Sequence, residues 1–483
     1  MAKDQNSYFS LRCCCLTLVI LSSLSTILIL SWSNFFVPCY SNVQTPLQNQ
    51  NQPFNLLTFP SAWNMLHFPS QSPPYLLKIA LFVKKWPDGH HAGGLERHAL
   101  TLHLALAKRG HELHIFTPFF FNLTSSMKNL YFHFSKPTSG GYLDQAIVWK
   151  QFQVENSSKR PFDVAHTESV GLMHTRSRNL TNLAVSWHGI AYESIHSDII
   201  QELLRDPKTA RPPILTQRIL KVVEEVKFFP RYAHHVATSD HVGDILKRIY
   251  MIPEERVHVI LNGVDEEIFK PEASSFRSKN GIDRDYKTLI LGMAGRLVKD
   301  KGHPLIFEAL RQIFNESSTF KDSVVVLVAG DGPWGDRYKE LGPNLRVLGP
   351  LDQAQLAKFY NDIDIFVNPT LRAQGLDHTL LEAMLVGKPL MATKVASITG
   401  SVIVSKDFGY TFSPTVEALK KALYEVWNDG RVVLEKKGEM ARRRALQLFT
   451  ATKMTAAYER LFFCIAENGK VVNDYCTYNP NLV

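Results

Sequence analysis

The chain has 483 residues, 45% hydrophobic and 20% charged, with a formal net charge of +9. That length accommodates two substantial domains plus appendages, and the composition is that of a globular body able to bury large cores. Lys and Arg are spread without a dense basic stripe, which argues against a nucleic-acid partner and suits anionic small substrates.

The first predicted element is apolar. Leu16 to Leu30 carries only Ser and Thr among apolar residues, and the apolar character continues to Val37. Residues 13–37 are long enough to span a bilayer as a helix. Lys3 and Arg12 precede the run, and no charged residue occurs from Cys13 through Leu77. The positive-inside rule therefore predicts a cytosolic tail over residues 1–12, a signal-anchor over 13–37 and a lumenal body. A cleaved signal peptide is the competing reading, disfavoured by the length of the run and the lack of a small-x-small site.

Residues 38–74, rich in Gln, Asn, Pro and Ser, read as a disordered stem. Sequons at Asn122, Asn156, Asn179 and Asn315 agree with a lumenal body. Cys13, Cys14 and Cys15 sit at the cytosolic edge of the span and Cys39 in the stem, whereas the spacing of Cys464 and Cys476 permits a disulfide.

The body reads as two successive α/β units. In the first, residues 75–270, strands are predicted at Lys78–Val83, His111–Thr117, Asp163–His166, Leu183–Trp187, His235–Ser239 and Val257–Leu261. A helix over Leu95–Arg109 follows from the helical spacing of Leu95, Ala99, Leu102 and Leu106. A polar linker, residues 271–287, leads to the second unit, 288–449. Its strands are Leu289–Ala294, Val324–Ala329, Leu345–Leu348, Ile363–Asn368, Pro389–Thr393 and Gly409–Phe412. Helices fit Pro304–Phe314, Gln353–Asn361, Thr379–Val386 and Thr415–Phe449, and a last helix and tail in residues 450–483 cross back to brace the first unit. Strands alternating with helices predict parallel sheets covered on both faces, so two Rossmann-like domains facing a cleft are expected.

Ligands of such domains bind outside the carboxyl ends of the strands. The run Gly292 to Gly302, GMAGRLVKDKG, aims Arg296 and Lys301 at that crevice. Two cations beside free helix-start N–H groups suit a diphosphate. Gly93 and Gly94 sit where the first strand enters the first helix, and the absence of Cβ admits a close-lying phosphate or acceptor. Glu96 and Arg97 read equally well as first-turn surface charges. His188 follows the apolar strand Leu183–Trp187 and should face the cleft.

The motifs LNGVD (261–265), GRLVKDKG (295–302), VAGDGP (328–333), FVNPT (366–370) and QGLDHTLLEAMLVGKP (374–389) recur here in a fixed order. Through them the second unit resembles the retaining family-4 glycosyltransferases of GT-B architecture. HAGGLERHA (91–99) and SWHG (186–189) extend the likeness thinly into the first unit. The stem, the membrane span and the wording RAQGLDHTLLEAM look most like plant membrane-anchored members.

The resemblance implies a nucleoside-diphosphate sugar on the second domain and a glycan or other hydroxyl acceptor against the first. It implies a Golgi membrane protein, single-pass and type II, with the endoplasmic reticulum as the alternative. His188 would contact the transferred sugar, and Arg296, Lys301 and the backbone at Gly375 and Leu376 would hold the departing diphosphate. Glu382 would accept the ribose hydroxyls, and Asn262, Gly295, Gly330 and Gly332 would complete the substrate-binding set.

One position departs from the family. Its pattern is Glu, seven residues, Glu, but Gln374 stands at the first position here. A neutral hydrogen bond is about 1 kcal/mol weaker than a charged one, whereas a lost cation at the leaving group costs about 3 kcal/mol. Gln374 is thus expected to weaken catalysis without abolishing it, and it motivates one rival, an inactive nucleotide- or glycan-binding scaffold; a sugar-nucleotide epimerase on the same architecture is the second.

No cofactor and no metal are expected. His90, His91, His98, His103, His111 and His114 lack a helical i,i+4 ligand pair with a carboxylate. Asp283 and Asp285 fall in the linker, and Asp362 and Asp364 open a buried strand, where they suit helix capping better than manganese.

Overall fold

The computed structural model describes residues 54–55, 62–69, 72–87, 93–118, 128–211, 213–279, 281, 288–373, 375–467 and 477–478. The expected tail and membrane span, most of the stem, Asn122, His90, His91, Gln374, Cys476, Asp283 and Asp285 lie outside them.

The first sheet comprises β1 (Lys78–Phe82), β2 (Glu112–Pro118), β3 (Leu130–Ser135), β4 (Val164–Glu168), β5 (Leu183–Trp187), β6 (His234–Ala237) and β7 (Val257–Val259). The second comprises β8 (Leu289–Ala294), β9 (Val324–Ala329), β10 (Leu345–Gly349), β11 (Ile365–Asn368), β12 (Leu390–Thr393) and β13 (Gly409–Phe412). Both have one topology: the orders are β3-β2-β1-β4-β5-β6-β7 and β10-β9-β8-β11-β12-β13, with every pair parallel. In each, the chain reverses its direction of sheet growth beside the first strand, which opens a crevice there. Strands such as β1 and β4 are buried along their whole length, as sheets covered on both faces require. The edge strand β3 has no counterpart among the predicted strands, since Leu130–Ser135 is only partly buried.

The main helices are α1 (Gly94–Lys108), α2 (Gln145–Asn156), α3 (Ala191–Leu203), α4 (Ile214–Phe228), α5 (Asp240–Arg248), α6 (His303–Glu316), α7 (Gln353–Asp362), α8 (His378–Leu385), α9 (Val416–Leu448, interrupted at Gly430) and α10 (Ala451–Ala466). Helix α6 buries Leu305, Ile306, Leu310 and Ile313 at helical spacing. All eight residues of α8 are buried, so this helix lies inside the second domain. Helix α10 inserts Met454, Tyr458, Leu461 and Phe462 into the same cluster as Leu81 and Leu106 of the first domain.

Part of the expected stem is folded. Trp63 and Asn64, in a short 3-10 helix, are buried. Asn64 accepts from the Leu261 N–H at 2.8 Å and donates to the carbonyls of Leu261 and Leu448, each at 3.2 Å. A buried amide that answers three backbone groups fastens this segment to the body. The linker also holds a short helix, Phe276–Lys279. Asp362 does not cap its own helix; its carboxylate accepts from the Ser274 hydroxyl and the Arg277 N–H, both at 2.8 Å.

Cys464 is disulfide-bonded, and no other cysteine falls among the described residues. Among the described residues no helix is long and apolar enough to cross a membrane.

Candidate active site

The carboxyl ends of both sheets surround a cavity of about 1040 Å³. Gly93, Gly94, His188 and Asn262 line it from the first domain, and Gly295, Arg296, Lys301, Gly330, Gly375 and Leu376 from the second. Two expected residues are absent from its wall, Gly332 and Glu382.

The two cations differ in their state. Arg296 follows β8 and is exposed, and its guanidinium has no hydrogen-bond or ion-pair partner among the described residues. Lys301 is ion-paired with Asp377, the N-cap of α8. Burial would raise the Asp377 carboxyl, but Lys301, Asn368 and Thr379 outweigh it and hold the group below the usual carboxylate range. The expected clamp is therefore one uncommitted cation and one already neutralised by a carboxylate. Gly302 fixes the loop between them and α6: its φ is +79°, and a Cβ there would lie 1.8 Å from the Pro369 carbonyl.

Opposite stands His188, just past the end of β5. Its Nε2 lies 2.6 Å from Glu168 Oε2, and His98 Nδ1 lies 3.0 Å from Glu168 Oε1. Burial opposes ionisation of Glu168, but the facing rings of His98, His166 and His188 hold its carboxyl well below the usual range. A carboxylate only accepts, so both rings donate to it, and in a neutral His188 ring that leaves Nδ1 as the lone-pair nitrogen. Beneath this dyad, Tyr458 of α10 and Ser186 are bonded at 2.7 Å, Ser186 and His166 at 2.8 Å, and His166 and His103 at 3.1 Å. The last helix thus props the floor of the site.

The domains meet through buried polar contacts. Arg97 of α1 is ion-paired with Glu382 of α8, whose other oxygen accepts from the Tyr360 hydroxyl at 2.8 Å. Arg97 is therefore no surface charge, and Glu382, 1% exposed, is occupied by protein rather than open to a ribose. Asn262 donates to the Leu376 carbonyl at 2.8 Å. The tight approach at Gly94 is to a side chain, His378, whose Nδ1 would lie 3.3 Å from an added Cβ. At Gly375 an added Cβ would meet Thr238 Oγ1 at 2.8 Å and the His188 carbonyl at 3.5 Å.

Glu193, in the first turn of α3, is also buried. It accepts from the Ile190 N–H at 3.3 Å and faces Arg372, the Gly375 backbone and Glu225. Burial pushes its carboxyl up to about 8.

Comparison with known proteins agrees with this geometry. Residues 92–268 match the model described as "Glycosyltransferase Family 4", and residues 288–429 match "Glycosyl transferases group 1". The chain has the GT-B fold of the group 1 and family 4 glycosyltransferases. N-acetyl-alpha-D-glucosaminyl L-malate synthase of Bacillus anthracis is 24% identical over 415 residues, covering 82% of this chain and 100% of that protein. A glycosyltransferase of Rickettsia africae superposes with a TM-score of 0.62 at 18% identity, over 82% of this chain and 100% of that one. HepE of Anabaena, in complex with UDP-glucose, superposes with a TM-score of 0.58 at 17% identity, over 80% and 99% of the two chains.

Within this GT-B cleft the sequence reading missed Glu168, Asp377, Arg372 and Glu193. For Asp377 a signal was present, because Asp before the apolar helix HTLLEAML is N-cap chemistry. For Glu168 it was the strand itself, which runs on past His166 and ends at the glutamate. Histidine clusters do form, by a route other than helical spacing. Without any i,i+4 pair, tertiary contacts bring His98, Glu168 and His188 within ligand distance of one another, and likewise His103, His166 and Glu168, and His114, His133 and Glu155. The hydrogen bonds at 2.6 and 3.0 Å already satisfy the Glu168 carboxylate within the first of these groups.

Proposed function

We propose that the protein is a retaining, metal-independent glycosyltransferase of the secretory pathway. It would be anchored in the Golgi membrane through residues 13–37 as a single-pass type II protein resembling plant members. It would transfer a sugar from a nucleoside-diphosphate sugar to a glycan or other hydroxyl acceptor. The observation that carries this reading is Arg296, an uncommitted cation in a cavity that also exposes His188. The UDP-glucose held by HepE on the same fold supports the donor class.

As the bond from the sugar to the diphosphate breaks, Arg296 would neutralise the departing oxygens. The acceptor oxygen would form the new bond on the same face and pass its proton to the leaving phosphate. His188, with Nε2–H held by Glu168, would offer Nδ1 to a sugar hydroxyl.

A second reading, a catalytically silent scaffold, draws support from Glu382, whose carboxylate is taken by Arg97 and Tyr360. Radiolabelled transfer by the full chain from a panel of UDP-, ADP- and GDP-sugars, with and without EDTA, separates the two. Transfer should fall about 100-fold in Arg296→Ala, a loss near 3 kcal/mol, and be indifferent to EDTA. Equal counts from both proteins would favour the scaffold, and an altered donor sugar with no acceptor present would mark an epimerase.

A further inference from the structure

A second cavity, of about 440 Å³, adjoins the cleft and shares Arg218, Lys221 and Arg372 with it. Helices α3 and α4 of the first domain wall one side, and Asp300 and Arg372 of the second domain close the other.

Its charges are not evenly used. Asp198 is turned onto Arg218, whose Nε lies 3.0 Å from Asp198 Oδ2. Asp300 is turned onto Arg372 at 3.4 Å. Both carboxylates are thus committed to guanidinium groups. Because Asp198 engages Arg218 through Nε, the two terminal amino groups of that fork have no partner among the described residues. Lys221 lies three positions further along α4, on the same face, and is exposed; it makes no ion pair among the described residues, although the buried Glu225 attracts both it and Arg218 from the cleft side. Three cations therefore meet two carboxylates, and the uncommitted donors all belong to the positive side. The remaining polar lining, such as Ser197 and Gln201, offers hydroxyl and amide groups suited to a polyol.

We propose that this cavity is the acceptor subsite and that the acceptor carries an oxyanion, carboxylate or phosphate, on a hydroxyl-rich body. This rests on the glycosyltransferase reading and deepens it by naming the acceptor's chemistry. The Arg218 fork matches two oxygens of such a group, and Lys221 supplies a point charge beside it. Since the cavity opens directly into the cleft, a ligand held there has its body beside His188 and Arg296.

Calorimetry on the full chain in detergent tests the subsite without catalysis, with glucose, glucuronic acid and glucose 6-phosphate as probes. Both anionic sugars should bind at least about tenfold tighter than glucose, and added salt should shrink that advantage. Lys221→Ala, at an exposed position that the fold tolerates, should remove about tenfold of it, and Arg218→Gln should act likewise, with a somewhat lowered melting temperature because Asp198 loses its cation. A preference for only one of the two anionic sugars identifies which oxyanion the acceptor bears. Equal affinity for glucose and the anionic sugars, or an anionic preference that survives both substitutions, overturns the proposal. Radiolabelled transfer from the nucleotide-sugar panel to added hydroxyl acceptors is read separately. Intact turnover with no anionic preference removes the acceptor assignment alone, whereas no turnover of any nucleotide sugar removes the glycosyltransferase reading itself.

Discussion

Arg97 and Glu382, 285 residues apart in sequence, form a buried ion pair that joins the first helix of one Rossmann-like domain to an interior helix of the other. Tyr360 completes the cluster from α7, so each carboxylate oxygen of Glu382 has a partner. A pair so enclosed stabilises the fold little against apolar residues of equal size, but removing one member strands a charge.

Arg97→Ala should therefore destabilise the protein by about 3–5 kcal/mol. Arg97→Met combined with Glu382→Met should recover most of that loss. Urea unfolding of the two variants and the wild type provides the comparison, and a double variant as unstable as Arg97→Ala would show that the pair is not the cause.

Glu168 should act through His188. Glu168→Gln should lower kcat by about 10- to 100-fold, since an amide can accept from only one ring and donates to the other. Donor KM should change by less than about twofold. Steady-state kinetics decide: a matched rise in KM with kcat intact would place Glu168 in binding instead.

Arg296 and Lys301 should separate by stability. Arg296→Ala should leave unfolding unchanged, because its side chain has no partner among the described residues. Lys301→Ala should reduce both turnover and stability, since it leaves the part-buried Asp377 carboxylate with only the neutral donors Asn368 and Thr379. Thermal unfolding of the two single variants reads the difference directly.

Glu193 should give the protein a stability that declines with pH. Burial raises its folded carboxyl to about 8 from an ordinary 4.5. Between those values the native state keeps a proton that the unfolded chain has released. The contribution is then fully present below the unfolded value, falls by about 1.4 kcal/mol per pH unit, and is lost by the folded one. Glu193→Gln should lack that slope over the interval, as measured by urea unfolding at stepped pH. A variant with the wild-type slope would assign the effect to another group.

Much of the fold was readable because its signals are local. Leu183–Trp187, Leu289–Ala294 and Val324–Ala329 are short apolar runs, and their burial on both faces leaves no other use for them. The edge strand β3 escaped notice because exposure on one side dilutes its pattern. The folded part of the stem escaped for a different reason: Asn64 is held by Leu261 and Leu448, which no local window contains.

The site divides along the same line. Strand ends alone put Arg296, Lys301 and His188 at the cleft, because in a parallel α/β sheet the residue after a strand faces the ligand crevice. By itself the sequence thus determined two α/β units and the cations at one strand's end. Only the tertiary structure decided that Lys301 is answered by Asp377, that Glu168 orients His188, and that Arg97 closes over Glu382. Hydrophobic periodicity is carried by neighbouring residues, whereas the state of a charge is set by whichever groups folding brings to it from the other end of the chain.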